Sequence, residues 1–289
     1  MKIYYYVRTG HRVGLDRFRR AAALVQELDD IEITLLTSDF RIASAAKEFG
    51  IKKAVGIDVA RNIPQIAERG SVMLFDSDEH NDIMLEEMTA YFSLFIRFDD
   101  DPLPKKHPKE YLVSPYIADA GVCGGVPVAN EFFAANRQKD IERLFFFGDD
   151  DYEKRLVEYA PKLRSLGCAC VVGFYYFFDY ETELERYFER IFESESYADA
   201  IKRAQEVITS SPQCALESSA SGARVVYVQR EDYPDVYKEL LRSLGIAVVD
   251  SYDMLDAERL RKINLSQKYN KLGKNVEKVG NCIRKILNL

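Results

Sequence analysis

The first loop of the chain carries the residues best suited to bind an anion. Residues 8–20 contain five arginines and lead into an Ala-rich helical pattern. Free N–H groups at a helix N-terminus and guanidinium groups both bind phosphate and carboxylate. The loop therefore predicts an anion-binding site that includes Arg17 and Arg20; the alternative is a solvated amphipathic helix in which Asp16 complements the helix dipole. His11 lies in the same loop, and an imidazole there could transfer a proton near neutral pH.

Two acidic segments stand at predicted strand ends in the first half. Residues 76–82 place five ionisable groups in seven positions. Such a run could hold a hard cation or a hydroxyl-rich sugar, or it could cap a helix. Residues 99–101 are three aspartates before Pro102, where a solvated turn is the simpler interpretation. Asp76 and Asp99 are the candidate substrate-binding residues of these segments.

Two loops of the second half join a strand to a helix. Gly148 ends an apolar run and precedes three aspartates, whereas residues 210–219 form a Ser-rich turn into a helix. Backbone N–H groups and hydroxyls in such turns can cradle a phosphate. Glu217, about one turn inside that helix, suits ribose hydroxyls or complements the helix dipole. The candidate nucleotide-binding residues are Gly148, Ser211, Gln213, Glu217 and Ser218.

Alternating strands and helices must position these loops, a pattern typical of α/β domains with parallel sheets. The strands predicted in the first half lie near residues 2–7, 31–36, 53–56, 71–75, 94–98 and 111–113. The helices predicted between them lie near residues 15–29, 41–49, 62–69 and 81–91. Ligands of open α/β sheets bind outside the carboxyl ends of strands, so the loops above are where a site is expected.

The strand–helix pattern starts again near residue 143, which predicts a second sheet and two domains, 1–130 and 131–289. The strands predicted there lie near residues 143–148, 168–174, 206–209, 225–228 and 246–249. The predicted helices lie near residues 152–166, 196–205, 213–221 and 233–244. Residues 253–288 predict two further helices broken near Gly273, which belong to the second domain but could pack back on the first.

Composition narrows the possible partners and locations. The 289 residues include 40 Lys+Arg and 47 Asp+Glu without a basic block, which argues against nucleic acid as a partner. No apolar stretch is long enough to span a membrane and no cleavage pattern follows the first strand, so a cytoplasmic location is expected. The five cysteines form no CxxC pair, so no metal or cofactor is expected and the thiols should be reduced. Cys168 and Cys170, two apart in a strand, should pack on one face of the core.

Several of these segments resemble the UDP-sugar hydrolase family of pseudaminic acid biosynthesis and its spore-coat polysaccharide relatives. The resemblance extends over nearly the whole chain and rests most on residues 208–217, continuing through Gly222 to the strand at 225–228. Three weaker matches are Gly14 with Arg20, the strand end at 98–100 and the Phe147-Gly148 loop.

This resemblance implies the glycosyltransferase-B (GT-B) superfold, with two Rossmann-like domains facing a central cleft. It also implies that the N-terminal domain binds the sugar, with Gly14 among its binding residues. The C-terminal domain would bind UDP, with Glu217 holding the ribose. The family's reaction is attack of water on the anomeric carbon, in glycan biosynthesis for bacterial surfaces or flagellin.

The catalytic motif departs from the family pattern. The family motif Gly-x-Gly-His-x-x-Arg corresponds to residues 14–20, so Asp16 replaces the second glycine and Arg17 replaces the histidine. Arginine stays protonated and cannot act as a general base. Asp16 or His11 is then the candidate base of a nucleotide-sugar hydrolase or glycosyl-transferring protein. The alternative is a divergent binding protein without turnover. The three aspartates after Gly148 favour this alternative, because their like charges would repel a diphosphate.

Overall fold

The computed structural model describes residues 1–117, 119, 121–133, 138–175, 179–266, 272–274 and 276–289. These residues form two compact units. The first contains 1–10, 17–129 and 275–289, and the second contains 11–16 and 130–274, counting the described residues of each range.

The first unit is built on a seven-stranded parallel sheet. Its strands are β1 (Ile3–Val7), β2 (Ile33–Thr37), β3 (Ala54–Gly56), β4 (Val72–Asp76), β5 (Leu94–Phe98), β6 (Tyr111–Ser114) and β7 (Val122–Gly124). Their order is β3-β2-β1-β4-β5-β6-β7, so the direction of winding reverses between β1 and β4. All five residues of β1, β2 and β4 are buried, as expected for parallel strands covered on both faces.

Helices of the first half follow these strands. They are α1 (Asp16–Glu27), α2 (Phe40–Ala45), α3 (Ile63–Ile66) and α4 (Asp82–Tyr91). The helix predicted near 41–49 is α2 followed by a 3₁₀ turn, which ends at Gly50 in the left-handed conformation (φ 75°). Short α3 contains Pro64 in its first turn, a position that tolerates proline because the first N–H groups of a helix have no partner within it.

The second unit has a six-stranded parallel sheet. Its strands are β8 (Ile141–Phe146), β9 (Ala169–Val171), β10 (Arg190–Phe192), β11 (Ala204–Thr209), β12 (Arg224–Val228) and β13 (Ala247–Val249). Their order is β10-β9-β8-β11-β12-β13, and the reversal falls between β8 and β11. The remaining helices are α5 (Leu156–Leu163), α6 (Tyr180–Leu184), α7 (Tyr197–Arg203), α8 (Pro212–Ala220), α9 (Tyr237–Ser243), α10 (Ala257–Ser266) and α11 (Val276–Leu287).

The predicted α/β class with two parallel-sheet, Rossmann-like units is confirmed. Three short elements were not predicted, namely β7, β10 and α6. The two strands among them have three residues each and, unlike the equally short β9, do not lie within a longer apolar run. No helix in the described parts of the chain is long and apolar enough to cross a membrane.

Helix α11 belongs to the first unit, although the predicted domain limits place residues 131–289 together. It packs against β7, and Arg284 at its last turn hydrogen-bonds the carbonyl oxygen of Glu27 and the carboxylate of Asp30. The predicted boundary near 130, and the sugar and nucleotide sides assigned to the two domains, stay predictions.

The expectation that all cysteines are reduced is wrong for one pair. Cys123 on β7 and Cys282 on α11 form a disulfide across 159 residues of sequence. A pairing at this separation depends on α11 returning to β7, which no spacing in the sequence indicates. Cys168 and Cys170 are buried free thiols in one hydrophobic cluster, as predicted.

The disulfide should stabilise the first unit by closing a very long loop. We expect Cys282→Ser to lower the free energy of unfolding by about 2–4 kcal/mol in urea titrations under oxidising conditions. Reductant should bring wild type to the stability of Cys282→Ser and leave the variant unchanged. The double variant Cys123→Ser/Cys282→Ser should lose little more. An effect of Cys282→Ser that persists in full under reductant would show that packing, and not the bridge, is responsible.

Candidate functional site

Both sheets bring polar loops together at the point where their strand order reverses. In the first unit these loops follow β1 and β4, and in the second they follow β8 and β11. The crevice outside the carboxyl ends of two such strands is the usual ligand position in open α/β sheets. All the sequence-predicted site residues lie in or near these loops, except Asp99, which follows β5.

In the first unit, Arg20 forms a buried ion pair with Asp76. Its Nε donates to Asp76 Oδ2 at 2.6 Å and its NH2 donates to Oδ1 at 2.5 Å. The third guanidinium nitrogen donates to Asp100 Oδ1 at 2.6 Å. Arg20 is only 5% exposed and Asp76 is fully buried. The predicted anion-binding arginine therefore already has two carboxylate partners within the protein.

A second set of ion pairs covers the same loops. Asp78 accepts hydrogen bonds from Arg8 at 2.6 Å and from Arg17 at 3.1 Å. Tyr6 donates to Glu79 Oε2 at 2.6 Å. Because β1 and β4 are adjacent, the arginine-rich loop and the acidic loop neutralise one another.

The acidic loops also stabilise local structure. Asn81 is the N-cap of α4 and accepts from the backbone N–H of Met84 at 2.9 Å, which confirms the capping interpretation of residues 76–82. Asp99 pairs with buried Arg97 and accepts from the backbone N–H of Asp101 at 3.0 Å. Within the described ranges, no group of three or more His, Cys, Asp or Glu side chains could hold a metal ion.

In the second unit, the three aspartates after Gly148 have separate partners. Asp149 accepts from the backbone N–H of Phe174 at 3.0 Å. Asp150 accepts hydrogen bonds from both terminal nitrogens of Arg230, at 2.8 and 2.9 Å. Asp151 accepts from Tyr180 at 2.5 Å, and burial raises its pKa to about 6. The charge of Asp150 is paired with a buried guanidinium, so the loop does not present three equal, unpaired charges.

Gly148 itself is required by the backbone. Its φ of 148° lies in a region that other residues rarely adopt, and a Cβ there would contact Asp150 Oδ1 at 2.6 Å. Gly14 has a φ of 78° and also faces Asp150, with the nearest contact of an added Cβ at 3.6 Å. Both predicted glycines thus lie against the same aspartate of the second unit.

Asp16 binds the N-terminus of α8. Ser211, the N-cap residue, accepts from the backbone N–H of Cys214 at 3.0 Å and donates its hydroxyl to Asp16 Oδ1 at 2.6 Å. The backbone N–H of Gln213 points to Asp16 Oδ2 at 3.4 Å, and the Tyr233 hydroxyl lies 3.3 Å from the same oxygen. Burial raises the pKa of Asp16 to about 6 in spite of these donors.

Glu217 is buried on α8, with only 2% of its surface exposed. Its Oε2 accepts from the Tyr197 hydroxyl at 2.7 Å and its Oε1 accepts from Gln213 Nε2 at 3.0 Å. Ser218 is fully buried, 3.7 Å from the sulfur of Cys214. Both residues lie beside the predicted phosphate cradle, but Glu217 already accepts hydrogen bonds from protein side chains.

Arg230 and Tyr233 were not among the residues predicted for the site. Arg230 lies just after β12, stacks over Phe147 at 4.2 Å and pairs with Asp232 as well as Asp150. Its position directly after a predicted strand was the available signal. His11, by contrast, is exposed in this structure, with its ring 5.0 Å from that of Tyr152.

The two parallel-sheet, Rossmann-like units have the GT-B type of α/β fold. Solved structures with this fold match the chain along its whole length. With S. aureus MnaA, in a co-structure with UDP, the TM-score is 0.63 at 13% identity, covering 100% of this chain and 98% of the other. HepE of Anabaena, in complex with UDP, gives 0.59 at 11%, with 100% of both chains covered.

The UDP-GlcNAc 2-epimerase of Methanocaldococcus jannaschii, in complex with UDP-GlcNAc and UDP, gives a TM-score of 0.57 at 12% identity. The match covers 100% of this chain and 99% of the epimerase chain. No family model and no curated protein matches the sequence. At identities this low the likeness shows the fold.

The Arg20–Asp76 pair should contribute strongly to folding. Arg20→Ala removes both hydrogen bonds of the guanidinium to buried Asp76 and leaves it Arg17, whose Nε lies 3.7 Å away, so we expect the free energy of unfolding to fall by about 3–5 kcal/mol. The double variant Arg20→Ala/Asp76→Ala should lose less than the sum of the single changes. Arg12→Ala removes an exposed arginine paired with Glu153 and should change stability by less than about 1 kcal/mol. Equal effects of Arg20→Ala and Arg12→Ala in urea titrations would contradict the buried pair.

Stability should depend on pH through Asp16. Its folded-state pKa of about 6 is above the ordinary value of 3.8, so the protonated carboxyl is favoured by folding. That stabilisation is complete below about pH 4 and is lost as the pH rises through about 6. Relative to wild type, Asp16→Asn should therefore gain about 1–3 kcal/mol between roughly pH 4 and pH 8. The exposed Asp58→Asn is the control; a parallel pH profile for both variants would refute the assignment.

Proposed function

We propose that the chain binds a nucleotide sugar, with the diphosphate of the nucleotide at the β8/β11 reversal point. The observation that carries this proposal is the convergence of the Gly148 loop and the Ser211-capped start of α8 on that point. Such a helix N-terminus beside a glycine loop is suited to a phosphate group. The UDP held by MnaA and HepE, which share the fold, supports this ligand class.

We assign the sugar to the loops after β1 and β4 of the first unit. Arg8, Arg17 and Arg20 there are each paired with a carboxylate, so the loops carry little uncompensated positive charge. Carboxylate and guanidinium groups also form hydrogen bonds with hydroxyl groups. A polyhydroxylated, uncharged group therefore suits these loops better than a second phosphate. Asp99, Gly14 and Asp76 remain the proposed sugar-side residues from the resemblance.

The proposed reaction is hydrolysis or glycosyl transfer at the anomeric carbon, as in the pseudaminic acid family that the sequence resembles. In hydrolysis, a water oxygen bonds to the anomeric carbon and the water proton passes to a base. The bond between the anomeric carbon and the phosphate oxygen breaks, and its electron pair leaves on the nucleoside diphosphate. Asp16 is a better base than His11 because its pKa of about 6 suits proton transfer near neutral pH. The product would serve glycan biosynthesis for the bacterial surface or flagellin.

A binding protein without turnover is the second candidate. Arg17 stands where the family has its catalytic histidine, and its guanidinium hydrogen-bonds Asp78 at 3.1 Å. A residue fixed in an ion pair and unable to release a proton favours binding over catalysis. For the first candidate, the hydrolase or glycosyl-transferring enzyme, we propose a cytoplasmic location. The Cys123–Cys282 disulfide argues against a reducing compartment.

One panel of ligands tests the proposal. Purified protein is titrated with UDP-, CMP- and GDP-sugars by calorimetry, and release of free nucleotide is followed by chromatography. We expect UDP-sugars to bind and to be cleaved by wild type. Asp16→Asn should lose nucleotide release by about a hundredfold or more while still binding, because the general base is gone. His11→Ala should retain release.

Glu217 is tested in the same panel. If its carboxylate holds the ribose, Glu217→Gln should weaken UDP-sugar binding by about 1–2 kcal/mol, roughly five- to thirtyfold. Tyr197→Phe is the matched control, since it removes a protein donor to Glu217 and leaves the carboxylate. Binding without release by wild type would favour the binding protein. Failure of all three sugar classes to bind would refute the proposed function.

A further inference from the structure

The donors at the start of α8 are already used within the protein. Pro212, the first residue of the helix, has no N–H. The next N–H, of Gln213, points to Asp16, and that of Cys214 bonds the Ser211 hydroxyl oxygen. The Ser211 hydroxyl hydrogen is directed to Asp16 at 2.6 Å. An external anion can reach these donors only by taking the place of the Asp16 carboxylate.

We propose that Asp16 is an internal anion that excludes phosphate from the start of α8 until it is protonated or displaced. The inference rests on the proposed function for its ligand but concerns the control of that site. Its direct support is the position of both carboxylate oxygens, 2.6 Å from Ser211 Oγ and 3.4 Å from Gln213 N. These are the two kinds of donor that a phosphate oxygen would use at a helix N-terminus.

A simple capping role does not explain this arrangement. Ser211 already caps α8, so the helix start does not need a second acceptor from a distant segment. Asp16 is a costly choice for that position, because Asp149 and Asp150 add negative charge beside a carboxylate that is already partly buried. A neutral asparagine could still accept the Ser211 hydrogen bond at its single amide oxygen without that charge.

The charges around Asp16 determine how binding depends on pH. From the loop after β8, Asp149 and Asp150 face it, and both disfavour its ionised form. From α8, the Ser211 hydroxyl and the Gln213 N–H favour the ionised form. The hydroxyl of Tyr233 faces it from the loop after β12, and Tyr227 on β12 also lies within its field.

Arg230 does not cancel the charge of Asp16 directly, because its terminal nitrogens bond Asp150 and Asp232. Protonation of Asp16 therefore removes the charge that opposes an incoming phosphate. Anion affinity of the wild type should rise as the pH falls from about 8 to about 6, by about tenfold or more. The change follows from the proton that Asp16 takes up with the ligand. Asp16 can act as the proposed general base only where the ligand displaces it in its ionised form, so nucleotide release should fall on the same acidification.

The experiment uses two probes on the full chain. Sulfate, doubly charged throughout this pH range, tests the α8 donors alone through the amide NMR shifts of Gln213 and Cys214. UDP-GlcNAc, whose diphosphate does not titrate in this range, tests the nucleotide site by calorimetry. Asp16→Asn is compared with wild type. Asp39→Asn is the matched control, since Asp39 also accepts a backbone N–H at a helix start but lies in the first unit.

At about pH 8 we expect Asp16→Asn to bind both probes at least about tenfold more tightly than wild type and Asp39→Asn. Its affinity should no longer rise on acidification to about pH 6, and Ser211→Ala in the Asp16→Asn background should lose the gain in sulfate affinity. Equal sulfate affinity and equal pH profiles for wild type and Asp16→Asn would overturn the inference, as would no sulfate binding by either.

The two proposals fail in different ways. Sulfate binding gained in Asp16→Asn without binding of any nucleotide sugar would support Asp16 as an internal anion and refute the proposed ligand. UDP-GlcNAc binding that is the same in wild type and Asp16→Asn at every pH would keep the proposed function and refute the role of Asp16. Destabilisation is monitored by thermal unfolding, and Ser211→Ala alone supplies a second perturbation of the same contact. Relative to wild type, the single variant Ser211→Ala should gain less sulfate affinity than Asp16→Asn gains.

Discussion

The placement of polar residues in this protein depends on the reversal of strand order within each parallel sheet. Parallel strands must be joined by crossovers that cover the faces, and winding outward in two directions leaves the carboxyl ends of two neighbouring strands uncovered. In the first unit these strands are β1 and β4, and in the second they are β8 and β11. The loops that follow these strands carry buried ion pairs, Arg20–Asp76 in the first unit and Arg230–Asp150 in the second.

At both reversal points, most carboxylates have partners within their own unit. Asp76 is paired with Arg20, and Asp150 is paired with Arg230. Each of these four side chains is less than 10% exposed. An ion pair of this kind holds its loops in one arrangement more than it adds net stability, since desolvation opposes the Coulomb attraction. Asp16 differs from these two, because the donors recorded for it among the described residues are the hydroxyls of Ser211 and Tyr233 and the backbone N–H of Gln213. Its charge is therefore balanced by dipoles and not by a paired cation.

The sequence was sufficient for the elements that have a strong hydrophobic signal. The five apolar residues of β1 and the Ser-Pro start of α8 each indicated the observed element. Strand β10 was missed because it begins at an exposed arginine and lies between charged residues, whereas the equally short β9 lies in a longer apolar run. Its pairing with β9 defines it. The partners of predicted site residues were missed for a related reason. Arg20 and Asp76 are 56 positions apart, and only the adjacency of β1 and β4 brings them together.

The return of α11 to the first unit affects the order in which the chain can fold during synthesis. The first unit includes residues on both sides of the second unit in sequence, so the ribosome completes 130–274 before it delivers α11. Until then β7, the edge strand that α11 contacts, has neither its helix nor its disulfide partner. Edge strands with unpaired N–H and C=O groups can join other chains. The nascent chain therefore has a period of exposure to aggregation that lasts until α11 leaves the exit tunnel.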